Sequence, residues 1–291
     1  MNYFTKKIEV IHKLKAFLDS KGFYEVLTPI IRKDAGSLIP RIKLEKSSQA
    51  LRDSHELQLR YLLSEYKSIY EIGSCFRSES EDSAATNAQE FLLMELFSSR
   101  HNLKDLKALT KQFISYYMPD AIFFEISIAE QIKLNLGIDL FVDSEDILVR
   151  KLKEIYEDYN FDYDYEYILH YIETEIEPLS KGKIVFFTDY PECTTSYAKI
   201  DKGHVISRFE LFADGLELAN GFDDECDPDL FFSRNSELPI FPKEENAIIE
   251  GLLSGDLPSH SSGVGIGIER LCMYLFDRKN ISDFSFISDC F

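Results

Sequence analysis

The 291-residue sequence predicts an α+β fold, an antiparallel β-sheet flanked by helices. Three observations predict it. RFELFADGLELANGF (208–222) carries strand-like runs on both sides of Asp214-Gly215, a strong two-residue hairpin signal. SIYEIGSCFRSE (68–79) and EFLLMELF (90–97) are strands joined by the small polar loop SEDSAATNAQ. HSSGVGIGIERLCMYLF (260–276) is a glycine-rich strand running into a helix.

The other elements follow in order. Asn2–Ser20 places Phe4, Ile8, Ile11, Leu14 and Leu18 on one face at helical spacing, so a core-facing amphipathic helix is expected. KGFYEVLTP is a turn and then a strand ending at Pro29. Asp53–Glu65 and Leu103–Tyr117 read as helices, and Ser144–Leu179 as mostly helical, a helical insertion at about 140–182 in one catalytic domain covering 1–291. KIVFFTDYP (183–191) is a buried strand.

Charge is the informative bulk property. With 32 Lys+Arg against 51 Asp+Glu, the net charge is −19, which repels polyphosphate at long range. Acid concentrates between Glu154 and Glu177, where Glu157, Asp158, Asp162, Asp164 and Glu166 interleave with tyrosines. That stretch reads as a solvated helical surface, with docking of a basic partner as the second reading. Cys75, Cys193, Cys226, Cys272 and Cys290 form no CxxC pair, so reduced thiols in a cytoplasmic protein are expected, without a zinc site. No apolar run approaches the roughly 20 residues that span a bilayer, so no membrane partner is expected.

Three constellations carry chemistry. In a regular hairpin around Asp214-Gly215, Phe212 faces Glu217 and Glu210 faces Ala219, and alternation puts all four on one face. Glu210 and Glu217 are then diagonal neighbours about 7–8 Å apart. They repel unless a cation such as Mg²⁺ sits between them, or unless the face is simply wet. In the strand-loop-strand, Arg77 and Glu79 share a direction, as do Phe91, Leu93, Glu95 and Phe97. Arg77 offers a fork for phosphate or carboxylate and Phe91 a flat surface for a base, although an isolated FRSE is more often a surface ion pair. In GVGIGIER the alternating glycines clear one strand face for a close approach, with Arg270 at the strand-to-helix junction. The spacing and C-terminal position exclude a dinucleotide fingerprint.

Together these elements resemble the three ordered motifs of class II aminoacyl-tRNA synthetases. Motif 1 is matched by KGFYEVLTP with Pro29, motif 2 by FRSE followed by EFLLMELF, and motif 3 by GVGIGIER; the resemblance covers nearly the whole chain. RFELFADGLELANGF, TDYPECTTSYAK and LRDSHELQLRYLL are similar to the lysyl branch. The resemblance implies ATP and Mg²⁺ as cofactors and an aminoacyl adenylate as product. It implies Arg77 on the α-phosphate and substrate carboxylate, Glu79 on the adenine edge, and adenine between Phe91 and Arg270. Asn87 belongs to the loop near the ATP phosphates, and Glu210 and Glu217 match the metal-binding pair. For the amino acid it implies Glu56 at the α-amino group and Asn220 helping to hold the substrate, with Gly36, Glu95, Phe97, Phe222, Asp224 and Gly265 around it. Motif 1 implies a homodimer.

The departures are specific. Asn87-Ala88 stands where lysyl enzymes carry His-Asn. Asp224 replaces a Glu that receives the side-chain amine, and Phe97 replaces a Tyr. These changes point to a rearranged basic amino acid, such as a β-amino acid, or to a substrate other than lysine. Motif 1 begins by residue 21, so no anticodon-binding domain is expected ahead of it. With the charge of −19 this makes tRNA an unexpected acceptor. Stand-alone cores of this type include the ligase that attaches a lysine-type residue to elongation factor P. The expected function is therefore activation of a lysine-like amino acid and its transfer to a protein lysine or a carrier. The alternatives are a small-molecule amide synthetase of the asparagine-synthetase type, a truncated lysyl-tRNA synthetase, and an inactive regulatory paralogue. The intact set Arg77, Glu79, Glu210, Glu217 and Arg270 argues against the last.

Overall fold

The computed structural model describes residues 3–33, 41–78, 85–236 and 243–284. The chain opens with helix α1 (Tyr3–Ser20), whose buried residues are Lys7, Val10, Leu14 and Leu18. The expected face is therefore rotated: Ile8 and Ile11 flank the contact, and Val10 takes its centre. Lys7 tolerates burial because its ammonium meets Glu269 at 3.1 Å.

Short strands β1 (Tyr24–Glu25), β2 (Ile31–Lys33) and β3 (Gln49–Leu51) follow, then α2 (Glu56–Leu62), β4 (Ser68–Phe76) and β5 (Glu90–Ser98). The strand expected to run to Pro29 is thus only two residues long, and the helix expected over 53–65 is confined to its centre. Next come α3 (Leu103–Tyr117), β6 (Phe123–Ser127), α4 (Ile128–Leu136), α5 (Glu145–Ile155) and α6 (Asp164–Tyr171). Asn102 and Asp105 close a reciprocal capping box on α3, and Ser127 and Ser144 cap α4 and α5. A π-turn (Ile172–Ile176) and a 3₁₀ turn (Glu177–Ser180) end this helical stretch. Then come β7 (Ile184–Pro191), β8 (Ile200–Lys202), β9 (Val205–Ala213), β10 (Leu216–Asp223), α7 (Pro228–Ser236), α8 (Lys243–Ser254), β11 (Ser262–Gly267) and α9 (Ile268–Leu275).

Among the described residues the main sheet runs β1-β4-β5-β11-β10-β9-β7-β6, with β8 on β9 and a separate β2-β3 pair. The β1–β4 and β6–β7 pairs are parallel, and every pairing between them is antiparallel. This is the α+β architecture expected.

One sheet face makes the core. Met94, Leu96, Phe209, Leu211, Val264 and Ile266 pack against Val10, Leu14, Leu106, Phe113 and Leu271 of α1, α3 and α9. Each such side chain contributes about 1.5–3 kcal/mol when fully buried. A second cluster, around Val185, Phe187 and Phe212, seats α4, α5 and α6. The opposite face of the central strands, bearing Phe91, Glu95, Glu210 and Asn220, is left to line a cavity.

Beside it lies a buried ionic knot. Arg52 (2% exposed) donates to Glu71 (1% exposed) at 2.6 Å, and Glu71 also accepts from the Thr28 amide at 2.9 Å and its hydroxyl at 2.7 Å. A Cβ at Gly73 would lie 2.3 Å from an Arg52 nitrogen, so glycine makes room for the guanidinium. Replacing Glu71 by Ala strands the Arg52 charge. Urea unfolding should show a loss of about 3–5 kcal/mol; a loss below about 1 kcal/mol would show that the knot is solvated.

Candidate active site

The hairpin supplies the site's two outer carboxylates, and its register departs from the regular one. Asp214 (φ 51°) and Gly215 (φ 83°) form the expected turn, and Phe212 pairs with Glu217 as expected. A bulge then inserts Leu218, so Ala219 pairs with Leu211 and Glu210 faces Asn220, not Ala219. The physical reason is burial: Leu218 (1% exposed) and Ala219 (2%) both enter the core cluster. The slip turns Asn220 to the cavity, alongside Glu210 and Glu217.

The cavity encloses about 400 Å³ between β5, β9, β10, β11, α2 and α9. Phe91, Leu93, Glu95 and Phe97 all line it, as strand alternation requires, with Arg77, Asn87, Gly265 and Arg270. Glu56, Glu210, Glu217, Asn220 and Phe222 line it as well. Gly36 and Glu79 lie outside the described residues.

Arg77 spreads its guanidinium over the Phe91 ring at 5.1 Å, and its Nε is buried without a hydrogen-bond partner. Arg270 is held in place: its Nε donates to the Thr86 carbonyl at 3.2 Å, one Nη to Glu217 at 3.0 Å, and the other to Asn87. Asn87, where the loop departs from the lysyl pattern, thus braces the motif-3 arginine.

Glu210 is buried and shared. It accepts from the Tyr190 hydroxyl at 2.7 Å and from Arg208, whose guanidinium stacks on the Tyr190 ring at 4.5 Å and reaches Asn220 at 3.3 Å. Burial pushes its pKa up, Arg208 opposes, and the Glu217 charge raises it again. Sequence reasoning missed Arg208 and Tyr190, although Arg208 is two residues from Glu210 and hence on the same strand face. The two carboxylates suit a hard cation, since both present oxygens and a cation would relieve their repulsion. Among the described residues no group of three or more His, Cys, Asp or Glu side chains is arranged to hold a metal ion.

At the inner end, Glu95 accepts from Ser54 at 2.8 Å, from the His55 amide at 2.6 Å and from His55 Nδ1 at 3.1 Å. Burial alone would raise its pKa, but these hydrogen bonds and the imidazole lower it. Glu56 differs: burial, then Glu95 and Asp224, push its pKa well up, and its Oε1 has no partner. Asp224 was expected in the wall. It is 1% exposed and does not line the cavity; it lies behind, 3.9 Å from Arg60 Nε and hydrogen-bonded by Ser261. The Ala198 bridge and its amide bond to the Ser261 carbonyl hold it there.

A family model described as tRNA synthetases class II (D, K and N) matches residues 1–288. Curated relatives include lysine–tRNA ligases. That of Fervidobacterium nodosum is 28% identical over 96% of this chain and 60% of its own length. That of Saccharolobus solfataricus is 28% identical over 94% and 62%, and that of Enterococcus faecalis 26% over 96% and 62%. The chain therefore spans about three fifths of the length of these relatives. Among the described residues no helix is long and apolar enough to cross a membrane.

Glu177 lines an adjoining hollow with Glu173, Glu210 and Glu217. Burial, then the Glu210, Glu173 and Glu217 charges, push its pKa up to about 8. The folded chain keeps this proton between the ordinary carboxylate pKa and about 8, while the unfolded chain has lost it. Stability therefore falls as pH rises through that window and levels above it. In EDTA, the Tm advantage of Glu177→Gln over wild type should widen from pH 5 to pH 8 and then stay constant; parallel pH profiles would refute the assignment.

Proposed function

The chain belongs to the class II tRNA synthetases of the D, K and N type, and from that premise we propose that it is an ATP-dependent, adenylate-forming amino acid ligase. Its acceptor is a protein amine or a carrier, not tRNA. The observation that carries the reading is an unpartnered donor and an unpartnered acceptor in one cavity. Arg77 presents an unpartnered guanidinium nitrogen and Glu56 an unpartnered carboxylate oxygen. An amino acid zwitterion beside a phosphate is the ligand that uses both.

The amino acid carboxylate attacks the α-phosphorus of ATP. The bond to the bridging oxygen breaks, and pyrophosphate leaves with the electron pair. Arg77 receives the negative charge gathering on the α-phosphate and aligns the attacking carboxylate. Phe91 and Arg270 form the adenine platform, so Arg77 lifts off the Phe91 ring to admit the base. Glu56 holds the ammonium group, and Asn220 adds a polar contact beside Glu210. Glu210 and Glu217 would hold Mg²⁺, which supplies charge neutralisation to the triphosphate. The acceptor nucleophile then attacks the acyl carbon and AMP leaves.

The net charge of −19 supports a protein or carrier acceptor, because such a surface repels a polyanion. The acidic, tyrosine-bearing surface of α5 and α6 suits a basic protein. A homodimer is supported by apolar side chains left exposed around the motif 1 segment: Tyr24 is 67% exposed, Leu27 81%, Ile30 43% and Ile31 51%.

ATP–pyrophosphate exchange without tRNA tests the reading. Exchange dependent on an amino acid is expected, and Arg77→Ala should reduce it about 10²–10³-fold with the fold intact. Undiminished exchange in Arg77→Ala would remove Arg77 from the chemistry.

A further inference from the structure

The two carboxylates that suit a cation are already answered by cations of the chain itself. Glu210 gives one oxygen to Arg208 and the other to the Tyr190 hydroxyl at 2.7 Å. Glu217 is paired with Arg270 at 3.0 Å. All four charged groups line both the amino acid cavity and the adjoining hollow that carries Glu173 and Glu177. The two ion pairs therefore stand where the two spaces meet.

The pairs differ in depth. The Arg208 side chain is 11% exposed, its guanidinium lies on the Tyr190 ring at 4.5 Å, and its Nε reaches Asn220 at 3.3 Å. The Arg270 side chain is 29% exposed and is steadied by the Thr86 carbonyl and Asn87. A divalent cation that took both carboxylates would leave both guanidinium groups beside it without an anion. Stranding a nearly buried charge is strongly unfavourable, and like charges at close range repel. A polyphosphate changes the balance, because the guanidinium fork fits phosphate as it fits carboxylate. It takes over both arginines, frees both carboxylates and brings oxygens of its own to the cation.

We propose that Arg208 and Arg270 are internal counter-ions that close the Glu210–Glu217 pair to a divalent cation until a polyphosphate draws them away, so that metal and ATP enter as a coupled pair. The choice of metal and polyphosphate rests on the ligase reading. Arg208, the deeper of the two, is the stronger bar.

The test titrates Mn²⁺ alone into the full chain, without nucleotide and at fixed ionic strength. Mn²⁺ takes the same oxygen ligands as Mg²⁺, and electron paramagnetic resonance reads its free fraction directly. Arg208→Gln should bind it at least about tenfold more tightly than wild type, a gain that damage to the fold does not produce. Arg208→Lys keeps the charge and should stay close to wild type; tight binding by this variant would show that charge is not the bar. Adding Glu210→Gln to Arg208→Gln should abolish the gain, and a gain that survives overturns the site. Arg270→Gln, at the more exposed pair, reads the same effect at Glu217 whether or not Arg208→Gln folds. Affinity unchanged in the folded arginine variants, or equally tight in wild type, overturns the proposal. ATP should then tighten Mn²⁺ by a larger factor in wild type than in Arg208→Gln, the affinity of Mn²⁺ for ATP in solution being common to both; equal factors overturn the exchange. A gain in Mn²⁺ binding without amino-acid-dependent pyrophosphate exchange would sink the ligase reading and keep the counter-ion role. Exchange without that gain does the reverse.

Discussion

The grip of Glu95 on the start of α2 is the interaction on which the rest of the site depends. Glu95 sits on β5, and its carboxylate takes the His55 amide, the His55 ring and the Ser54 hydroxyl. Helix α2 has no side-chain cap of its own at His55, so the strand supplies the acceptor that the helix start lacks. The same bonds set the direction of α2, and with it the positions of Glu56 and Arg60. On its other side, His55 lies 3.6 Å from Glu71, which anchors Arg52 and Thr28. One buried chain of charges thus ties β4, β5 and the β1–β2 connection to the floor of the cavity.

This arrangement explains how an acid-rich chain keeps cationic side chains in its cavity. Three arginines face it, and each is oriented differently. Arg208 is spent on Glu210, Arg270 on Glu217 and the Thr86–Asn87 loop, while Arg77 rests on an aromatic face that costs little to leave. A stacked guanidinium keeps its hydrogen-bonding capacity, and Arg77 Nε is left without a partner. Buried carboxylates that would otherwise repel substrate anions are mostly neutralised by partners from the chain itself.

Much of this was legible in order along the chain. The 103–117 helix has an apolar period and an Asn-x-x-Asp start, and both local signals agree with the packing. The cavity face of β5 follows from alternation, because Phe91, Leu93, Glu95 and Phe97 are two residues apart. The hairpin turn was legible for the same reason: Asp-Gly accommodates positive φ. The bulge after Glu217 was not. No local signal marks Leu218 as an extra residue; only the need to bury both Leu218 and Ala219 against α9 and α3 selects that register. The rotated face of α1 has a similar cause, since the Lys7–Glu269 pair joins residues 262 apart.

The sequence by itself determined the fold class, the three chemical motifs and their order, because these rest on period, turn chemistry and residue type, which are local. It also pointed to side chains that the fold brings to one cavity, among them Glu56, Arg77, Glu210 and Arg270. Only the tertiary structure decided which of those charges are available. Whether a carboxylate faces the cavity, as Glu56 does, or is withdrawn behind it, as Asp224 is, depends on groups far apart in the chain or on different elements. Electrostatic pairing in a buried site acts through space, so composition counts the charges and the fold alone assigns their partners.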